Sequence, residues 1–149
     1  MKILMVCLGN ICRSPLAEGI LTHKTKSLNI EVDSAGTAGY HVGQLPDSRS
    51  IEIAKEYNID LSKQRARQFN RVDFDRFDII YAMDTNNYAH LISLASNNDE
   101  RNSIRLILNE INPNAYESVP DPYYGGGDGF QNVYNMLDKA CERIVQNIE

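Results

Sequence analysis

Short apolar runs alternate with segments of helical periodicity along most of the chain. The apolar runs predict four strands, over residues 2–6, 30–33, 78–83 and 104–108. Helical spacing of apolar side chains predicts four helices, over residues 16–26, 48–57, 86–95 and 130–148. Strands that alternate with helices favour parallel pairing and right-handed crossovers. The pattern therefore predicts an α/β fold: a three-layer doubly wound sheet of about four parallel strands with helices on both faces, forming a single domain over residues 1–149.

The segments between these elements carry further signals. Asp47 and Asp84 stand where helix caps are expected. Loops are predicted for the small-residue segment 34–39, the polar segment 97–102 and residues 111–119, and the basic stretch 63–71 is expected to be solvated. The inner face of the last helix is predicted to contain Val133, Met136, Leu137, Ala140, Cys141, Ile144 and Val145.

Composition narrows the possible functions. The chain has 149 residues, 42% of them hydrophobic, and a net charge of -5. This acidity argues against a nucleic-acid partner or an acidic membrane surface. No stretch is long and apolar enough for a membrane span or a signal peptide, so a cytoplasmic location is expected. Three cysteines and three scattered histidines predict neither a disulfide framework nor a metal site, and no cofactor is expected.

The most informative stretch is Val6-Cys-Leu-Gly-Asn-Ile-Cys-Arg-Ser-Pro15, which joins the first strand to the first helix. We call residues 7–13 the Cys7 loop. Gly9 and Asn10 readily take positive φ, so the loop can curl until its backbone N–H groups converge on one point. The helix that follows adds further donors and the positive end of its dipole. The sequence therefore predicts an anion-binding loop.

Cys7 and Arg13 are the candidate reactive residues of this loop. Cys7 is expected at its floor, where the donors that hold an anion also stabilise a thiolate. Arg13 offers a planar fork that matches two phosphate oxygens, and Ser14 can donate its hydroxyl to the thiolate. A cysteine and an arginine at this spacing form a weak signal alone, because a lone cysteine is usually a small buried hydrophobe. The preceding strand, the turn residues and the following helix strengthen the interpretation as a phosphatase site.

A second stretch, Asp121-Pro-Tyr-Tyr-Gly125, complements the first. We call residues 121–125 the Asp121 loop. The oxygen that leaves a phosphate ester needs a proton, and Asp121 between two prolines is our candidate acid. Tyr123 and Tyr124 can form aromatic walls for a phenyl ring. A plain turn with two packed tyrosines is the alternative for this stretch taken alone.

These two stretches, together with Asp33-Ser-Ala-Gly-Thr-Ala-Gly-Tyr40 and Ala82-Met-Asp84, resemble the low-molecular-weight protein tyrosine phosphatases over nearly the whole chain. The resemblance implies hydrolysis of phosphotyrosine in proteins, with Cys7 as nucleophile, Arg13 as phosphate clamp and Asp121 as general acid and then base. It also implies a set of residues that bind phosphate or border the substrate: Leu8, Gly9, Asn10, Ile11, Cys12, Ser14, Tyr40, His41, Tyr123 and Tyr124.

Some positions leave alternatives open. Many members of this family carry a histidine where Gln64 stands, and that histidine supports the loop. Cys12 either fills the underside of the loop or forms a reversible disulfide with Cys7. Asp84 is expected to be a helix cap or loop anchor. Tyr123 and Tyr124 could instead mediate self-association, so the expected state is a monomer or a weakly associating protein.

Three other functions fit the sequence less well. Thiol-dependent arsenate reductases of related fold carry a similar loop but need further cysteines, and no close resolving pair exists here. Protein-arginine phosphatases tend to have threonine where Ile11 stands and lack the tyrosine pair. A module that only binds phosphotyrosine would not need both Cys7 and Asp121.

Overall fold

A computed structural model, which describes residues 1–148, contains one four-stranded sheet in the order β2-β1-β3-β4, with every pair parallel. The strands are β1 (Lys2–Cys7), β2 (Glu31–Gly36), β3 (Ile79–Ala82) and β4 (Ile104–Leu106). The helices are α1 (Arg13–Lys24), α2 (Ser48–Glu56), α3 (Asp73–Arg76), α4 (Thr85–Leu94), α5 (Asn98–Ser103) and α6 (Gly129–Ile148). The predicted α/β class and the parallel sheet of four strands are confirmed.

Side-chain alternation along the strands divides the core into two layers. On β1, Ile3 and Met5 point to one face, where they pack with α1 and α6. Leu4 and Val6 point to the other face, where they pack with Leu91 of α4 and with the phenylalanines around α3. Because both faces are covered, β1 is apolar throughout rather than alternating with polar residues. Helices on both faces were predicted, and the structure has them.

Several boundaries differ from the sequence prediction. The segment 34–39 was expected to be a loop, but its first three residues extend β2 and pair with Met5, Val6 and Cys7. Small side chains allow this because the Cys7 loop packs directly against the end of β2. Strand β4 is shorter than predicted, since a 3-10 helix begins at Ile107.

The polar segment 97–102 was also predicted wrongly as a loop. It forms α5, which Asn97 caps by accepting a hydrogen bond from the Glu100 N–H at 2.8 Å. The Glu100 carboxylate in turn accepts from the Ser96 N–H at 2.8 Å. This reciprocal pattern resembles a capping box, which marks the start of a helix. It was missed because the segment has no apolar periodicity.

Two predicted surfaces need correction. On α6, Met136 was assigned to the inner face but is 36% exposed, whereas the other six residues of that face are buried. In the basic stretch 63–71, Arg67 is not simply solvated, because its guanidinium pairs with Asp33 at 3.0 Å and with the buried Asp73 at 3.1 Å. Arg65 and Arg71 are exposed as expected.

The carboxyl ends of the strands place the two informative loops together. The Cys7 loop follows β1, and Asp84 follows β3. Val119, just before the Asp121 loop, donates its N–H to the Met83 carbonyl at 2.8 Å, which holds that segment at the same edge of the sheet. Ligand sites in open parallel sheets form at this edge. Within residues 1–148, no helix combines the length and the apolar character that crossing a membrane requires.

Candidate active site

The Cys7 loop is held open by hydrogen bonds that its carbonyl groups make outward. The Cys7 and Leu8 carbonyls accept from the N–H groups of Thr37 and Ala38, each at 2.9 Å, and the Ile11 carbonyl accepts from Asp47 N–H at 2.8 Å. In the described part of the chain, the N–H groups of residues 9–12 have no acceptor. The loop therefore offers free N–H donors, while the carbonyl groups of Cys7, Leu8 and Ile11 are paired elsewhere, an arrangement that suits anion binding.

The start of α1 adds to this field. Cys12 occupies the N-cap position and makes no side-chain cap, and no acidic residue lies in the first turn. The unpaired N–H groups and the positive dipole end of a 12-residue helix thus point toward the loop. Both features favour a negative charge at the loop centre.

Cys7 ends a chain of hydrogen bonds that runs through the protein beneath the loop. Its Sγ lies 3.0 Å from the Ser14 hydroxyl, and Asn10 donates from Nδ2 to the hydroxyl oxygens of Ser14 and Ser34, at 2.8 and 2.9 Å. Ser34 donates to Glu18 at 2.6 Å. Because the Ser14 oxygen accepts from Asn10, its hydrogen is free to point at Cys7, where it stabilises a thiolate.

Asn10 holds this arrangement in a conformation that few residues tolerate. Its φ is 58°, in the left-handed region, and its Oδ1 accepts from the Arg67 N–H at 3.0 Å. Asparagine is one of the few non-glycine residues that visit this region readily. Its side chain and its backbone conformation together shape the curl of the loop.

The hydrogen-bond network that begins at Cys7 ends at Glu18, whose carboxyl has an unusually high pKa. Burial of its carboxyl raises the pKa from 4.5 to about 7, although the hydrogen bond from Ser34 acts in the opposite direction. The side chain also lines a second cavity behind the Cys7 loop, beside Asp33, Lys63 and Gln64. The carboxyl therefore changes charge near neutral pH.

Arg13 is buried and anchored on one edge. Its side chain is 3% exposed, and Nη1 donates to Asp84 Oδ2 at 2.7 Å and to the Val119 carbonyl at 2.9 Å. Its Nη2 lies 3.8 Å from Asp121 Oδ2. Asp84 also caps α4 by accepting from Asn87 N–H, as the sequence predicted, so one carboxylate serves both the helix and the arginine.

The Asp121 loop contributes Asp121, Tyr123 and Tyr124 to the cleft that the Cys7 loop lines. Asp121 Oδ1 accepts from the Tyr123 N–H at 3.0 Å, which leaves Oδ2 directed toward Arg13. Tyr123 and Tyr124 form an edge-to-face pair with centroids 5.0 Å apart, and Tyr124 is 88% exposed. These rings can therefore contact a ligand that enters from solvent.

The predicted site residues converge on one cleft of about 310 Å³. Eleven of the thirteen line it: Cys7, Leu8, Gly9, Ile11, Cys12, Arg13, Tyr40, His41, Asp121, Tyr123 and Tyr124. The other two, Asn10 and Ser14, are buried beneath it. The sequence did not reveal the contribution of Ser34 and Glu18, because their link to Cys7 exists only after β2 and α1 pack together.

Burial keeps the thiols of Cys12 and Cys141 protonated. Burial, with a smaller contribution from Asp47, raises the pKa of the Cys12 thiol to about 12. Burial likewise raises the pKa of Cys141, which lies in the core as predicted. Both are therefore thiols at neutral pH, and all three cysteines are unpaired. The disulfide between Cys7 and Cys12 stays a prediction.

Gln64 contacts the first turn of α1, just after the Cys7 loop. Its Nε2 donates to the Pro15 carbonyl at 3.1 Å, in the first turn of α1, while its buried Oε1 has no hydrogen-bond partner. Gln64 thus supports the helix that follows the Cys7 loop. Among residues 1–148, no group of three or more histidine, cysteine, aspartate or glutamate side chains is arranged to hold a metal ion.

Both the sequence and the fold are similar to those of known proteins. The sequence profile for the low molecular weight phosphotyrosine protein phosphatases matches residues 2–149. A low molecular weight phosphotyrosine protein phosphatase of Schizosaccharomyces pombe is 37% identical over 99% of this chain and 96% of its own. The crystal structure of a protein tyrosine phosphatase from Entamoeba histolytica superimposes with a TM-score of 0.92, at 37% identity over 99% of this chain and 96% of the other.

A Drosophila arginine phosphatase is also similar, with a TM-score of 0.92 at 34% identity, over 100% of this chain and 98% of the other. The fold is thus shared by a protein tyrosine phosphatase and an arginine phosphatase, and the fold alone does not set the substrate. With a profile match over residues 2–149 and relatives that align along nearly their full length, the chain belongs to the low molecular weight phosphotyrosine protein phosphatase family.

Proposed function

We propose that this chain hydrolyses phosphotyrosine in proteins, with Cys7 as nucleophile, Arg13 as phosphate clamp and Asp121 as general acid and then base. The observation that carries the proposal is the convergence of these three groups. Cys7 lies under free N–H donors, and Arg13 Nη2 and Asp121 Oδ2, which line the same cleft, are 3.8 Å apart. A phosphate ester bound there would contact all three.

In the first step the phosphate dianion binds in the Cys7 loop, and the Cys7 thiolate attacks phosphorus in line. The S–P bond forms as the P–O bond to the phenol breaks, and Asp121 donates its proton to the departing oxygen. Arg13 and the loop N–H groups stabilise the charge on the equatorial oxygens, which is the largest expected contribution. The Ser14 hydroxyl, 3.0 Å from Sγ, stabilises the thiolate before the attack.

In the second step Asp121, now a carboxylate, takes a proton from water. The water oxygen attacks phosphorus, the S–P bond breaks, and inorganic phosphate and the Cys7 thiolate are released. No metal or cofactor takes part in this scheme, because the loop and Arg13 supply the positive field. The first step needs an ionised Cys7 and a protonated Asp121, so we expect a bell-shaped pH profile of the rate.

The cleft walls favour an aromatic substrate. Leu8, Tyr40, Tyr123 and Tyr124 are exposed apolar or aromatic side chains around the mouth, suited to a planar phenyl ring. The similar Drosophila arginine phosphatase makes phosphoarginine the second candidate substrate. Rates on phosphotyrosine and phosphoarginine peptides distinguish the two, and we expect phosphotyrosine to be preferred.

The same proposal covers the setting in which the enzyme works. We assign residues 1–149 to a single phosphatase domain, acting in the cytoplasm on phosphotyrosine-containing proteins, as a monomer or a weakly associating protein. The net charge of -5 supports the exclusion of nucleic acid as a partner.

The proposal is tested by hydrolysis of p-nitrophenyl phosphate in the presence of a chelator, with wild type, Cys7→Ser and Asp121→Ala compared. We expect activity that survives the chelator, is lost in Cys7→Ser and falls by about 100-fold or more in Asp121→Ala. Activity that is indifferent to Cys7 would overturn the proposal.

A further inference from the structure

Arg49, in the first turn of α2, contacts both the Asp121 loop and α6. Its guanidinium lies over the Tyr123 ring at 5.4 Å and over the Phe130 ring at 4.6 Å, and Nη1 is 3.5 Å from the Tyr123 carbonyl. It thus touches the Asp121 loop from outside while Asp121 faces the cleft from inside. None of the roles assigned above uses Arg49.

Asp47 holds this guanidinium in place. Its Oδ1 accepts from the Arg49 backbone N–H at 2.9 Å and from Nε at 3.0 Å, and Oδ2 accepts from Nη2 at 2.9 Å. Such a two-pronged pair fixes the plane of the guanidinium as well as its position. The N–H of Asp47 in turn donates to the Ile11 carbonyl at 2.8 Å, so the pair is tied directly to the Cys7 loop.

We infer that Arg49 is a positioning residue for the general acid, setting the distance of the Asp121 loop from the Cys7 loop. The inference rests on the proposed function, since it assigns to Arg49 an effect on the proton that Asp121 donates. The connection runs from the Cys7 loop through Asp47 to Arg49, and from Arg49 to the backbone and ring of Tyr123.

The sequence around the Asp121 loop explains why this loop needs a restraint from another segment. The Asp121 loop ends at Gly125 and is followed by Gly126 and Gly127, and Gly127 has a φ of 57°. Glycine-rich backbone has high conformational freedom and does not hold a loop in one place. Within the loop, the Asp121 carboxylate accepts a hydrogen bond from the Tyr123 N–H, and Oδ2 approaches Arg13 Nη2 at 3.8 Å. Cation–π contacts and the link to Asp47 supply the longer-range restraint.

The role of Arg49 predicts a specific kinetic pattern. A general acid matters most when the leaving group is a poor one and little when the leaving group is stable as an anion. In Arg49→Met we expect kcat/KM to fall about tenfold for phenyl phosphate and less than about threefold for 2,4-dinitrophenyl phosphate. A residue that only bound phosphate or stabilised the fold would lower both values by the same factor.

Two further variants sharpen the test. Lysine keeps the charge but not the planar fork, so Arg49→Lys should recover only part of the loss. Asp47→Asn keeps a good helix cap but weakens the grip on Nη2, and we expect the same leaving-group pattern with a smaller amplitude. The matched control is Arg71→Met. Arg71 lies over the Phe74 ring at 5.7 Å and pairs with Glu100 at 3.3 Å, and it does not line the cleft.

The decisive experiment measures kcat/KM for both esters in four proteins: wild type, Arg49→Met, Asp121→Ala and the double variant. We expect the extra loss on phenyl phosphate to disappear in the Asp121→Ala background, because no acid is left to position. Equal losses on the two esters, or an undiminished effect of Arg49→Met when Asp121 is absent, would overturn the inference. Wild type without Cys7-dependent activity would instead mean that the proposed function itself had failed.

Discussion

Arg13 presents its two edges to different partners: Nη1 is bonded to Asp84 at 2.7 Å, whereas Nη2 lies 3.8 Å from Asp121. The first contact is internal to the protein and fixes the guanidinium, and the second is at the cleft. A phosphate in the Cys7 loop would therefore meet an arginine whose orientation is already set. Orientation prepared before binding is what makes such a clamp effective in a transition state.

The first prediction concerns Asp84. Asp84→Ala removes the partner of a buried arginine and the cap of α4, so we expect a loss of about 3 kcal/mol in the free energy of unfolding and a fall of at least about tenfold in kcat/KM. Urea unfolding and p-nitrophenyl phosphate kinetics measure the two effects. Asp138→Ala is the control, since Asp138 pairs with Lys24 at a more exposed site and should cost less than about 1 kcal/mol. Similar losses in both variants would contradict the account.

A second prediction concerns Gly36, where β2 meets the Cys7 loop. A Cβ there would lie 2.7 Å from the Leu8 carbonyl oxygen and 3.1 Å from the Asn10 nitrogen. Backbone atoms cannot yield cheaply, so Gly36→Ala should distort the loop and lower kcat/KM by about 100-fold or more. Gly126→Ala has open space around it and should leave kcat/KM within about twofold. Normal activity in Gly36→Ala would show that the loop does not need this close approach.

Glu18 provides a third prediction, on stability against pH. Burial raises its pKa from 4.5 to about 7 in the folded protein, so folding takes up a proton between these values. The contribution of Glu18 to the free energy of unfolding is therefore largest below the unfolded pKa of 4.5. It declines by up to about 3 kcal/mol as the pH rises from there through about 7.

Urea unfolding between about pH 5 and 8 measures this decline. We expect Glu18→Gln to flatten it, because the amide does not titrate, while Glu56→Gln at an exposed position should keep the decline of wild type. An unchanged slope in Glu18→Gln would mean that another group is responsible.

The fourth prediction separates the three cysteines. Since burial raises the pKa of Cys12 and Cys141, both stay protonated and unreactive near neutral pH, whereas Cys7 faces free N–H donors and the Ser14 hydroxyl. Iodoacetate should therefore label Cys7 at least about tenfold faster than the other two, and inorganic phosphate should slow that labelling. Peptide mass spectrometry gives the rates. Equal labelling of Cys7 and Cys12 would argue against a selectively activated thiol.

The sequence was sufficient for the topology and for most of the cleft, because these depend on local pattern. Apolar runs identified the strands, and the residue types around Cys7 and Asp121 carried their own chemistry. What it could not supply were contacts between distant segments. In the sequence, Arg49 is one more charged residue near the start of a helix, and only the folded structure brings α2 against the Asp121 loop. Ser34 was predicted to lie in a flexible loop, whereas in the structure it belongs to β2.

The wrong predictions for α5 and for Met136 also have physical explanations. α5 has no apolar face, so hydrophobic periodicity could not predict it. The only sequence signal for this helix is the pair Asn97 and Glu100, whose side chains cap its first turn. Met136 fits the helical period of α6 but lies at the margin of its buried stripe, where periodicity alone does not decide exposure.

The most direct test of the central claim looks for the covalent intermediate. In Asp121→Ala, 2,4-dinitrophenyl phosphate should still phosphorylate Cys7, because its leaving group needs no acid, while the water step lacks its base and is slow. Acid quenching during turnover followed by peptide mass spectrometry should then find one phosphoryl group on the Cys7 peptide, and none in the Cys7→Ser, Asp121→Ala double variant. Turnover with no phosphoryl group on Cys7, or with that group on another residue, would contradict the account.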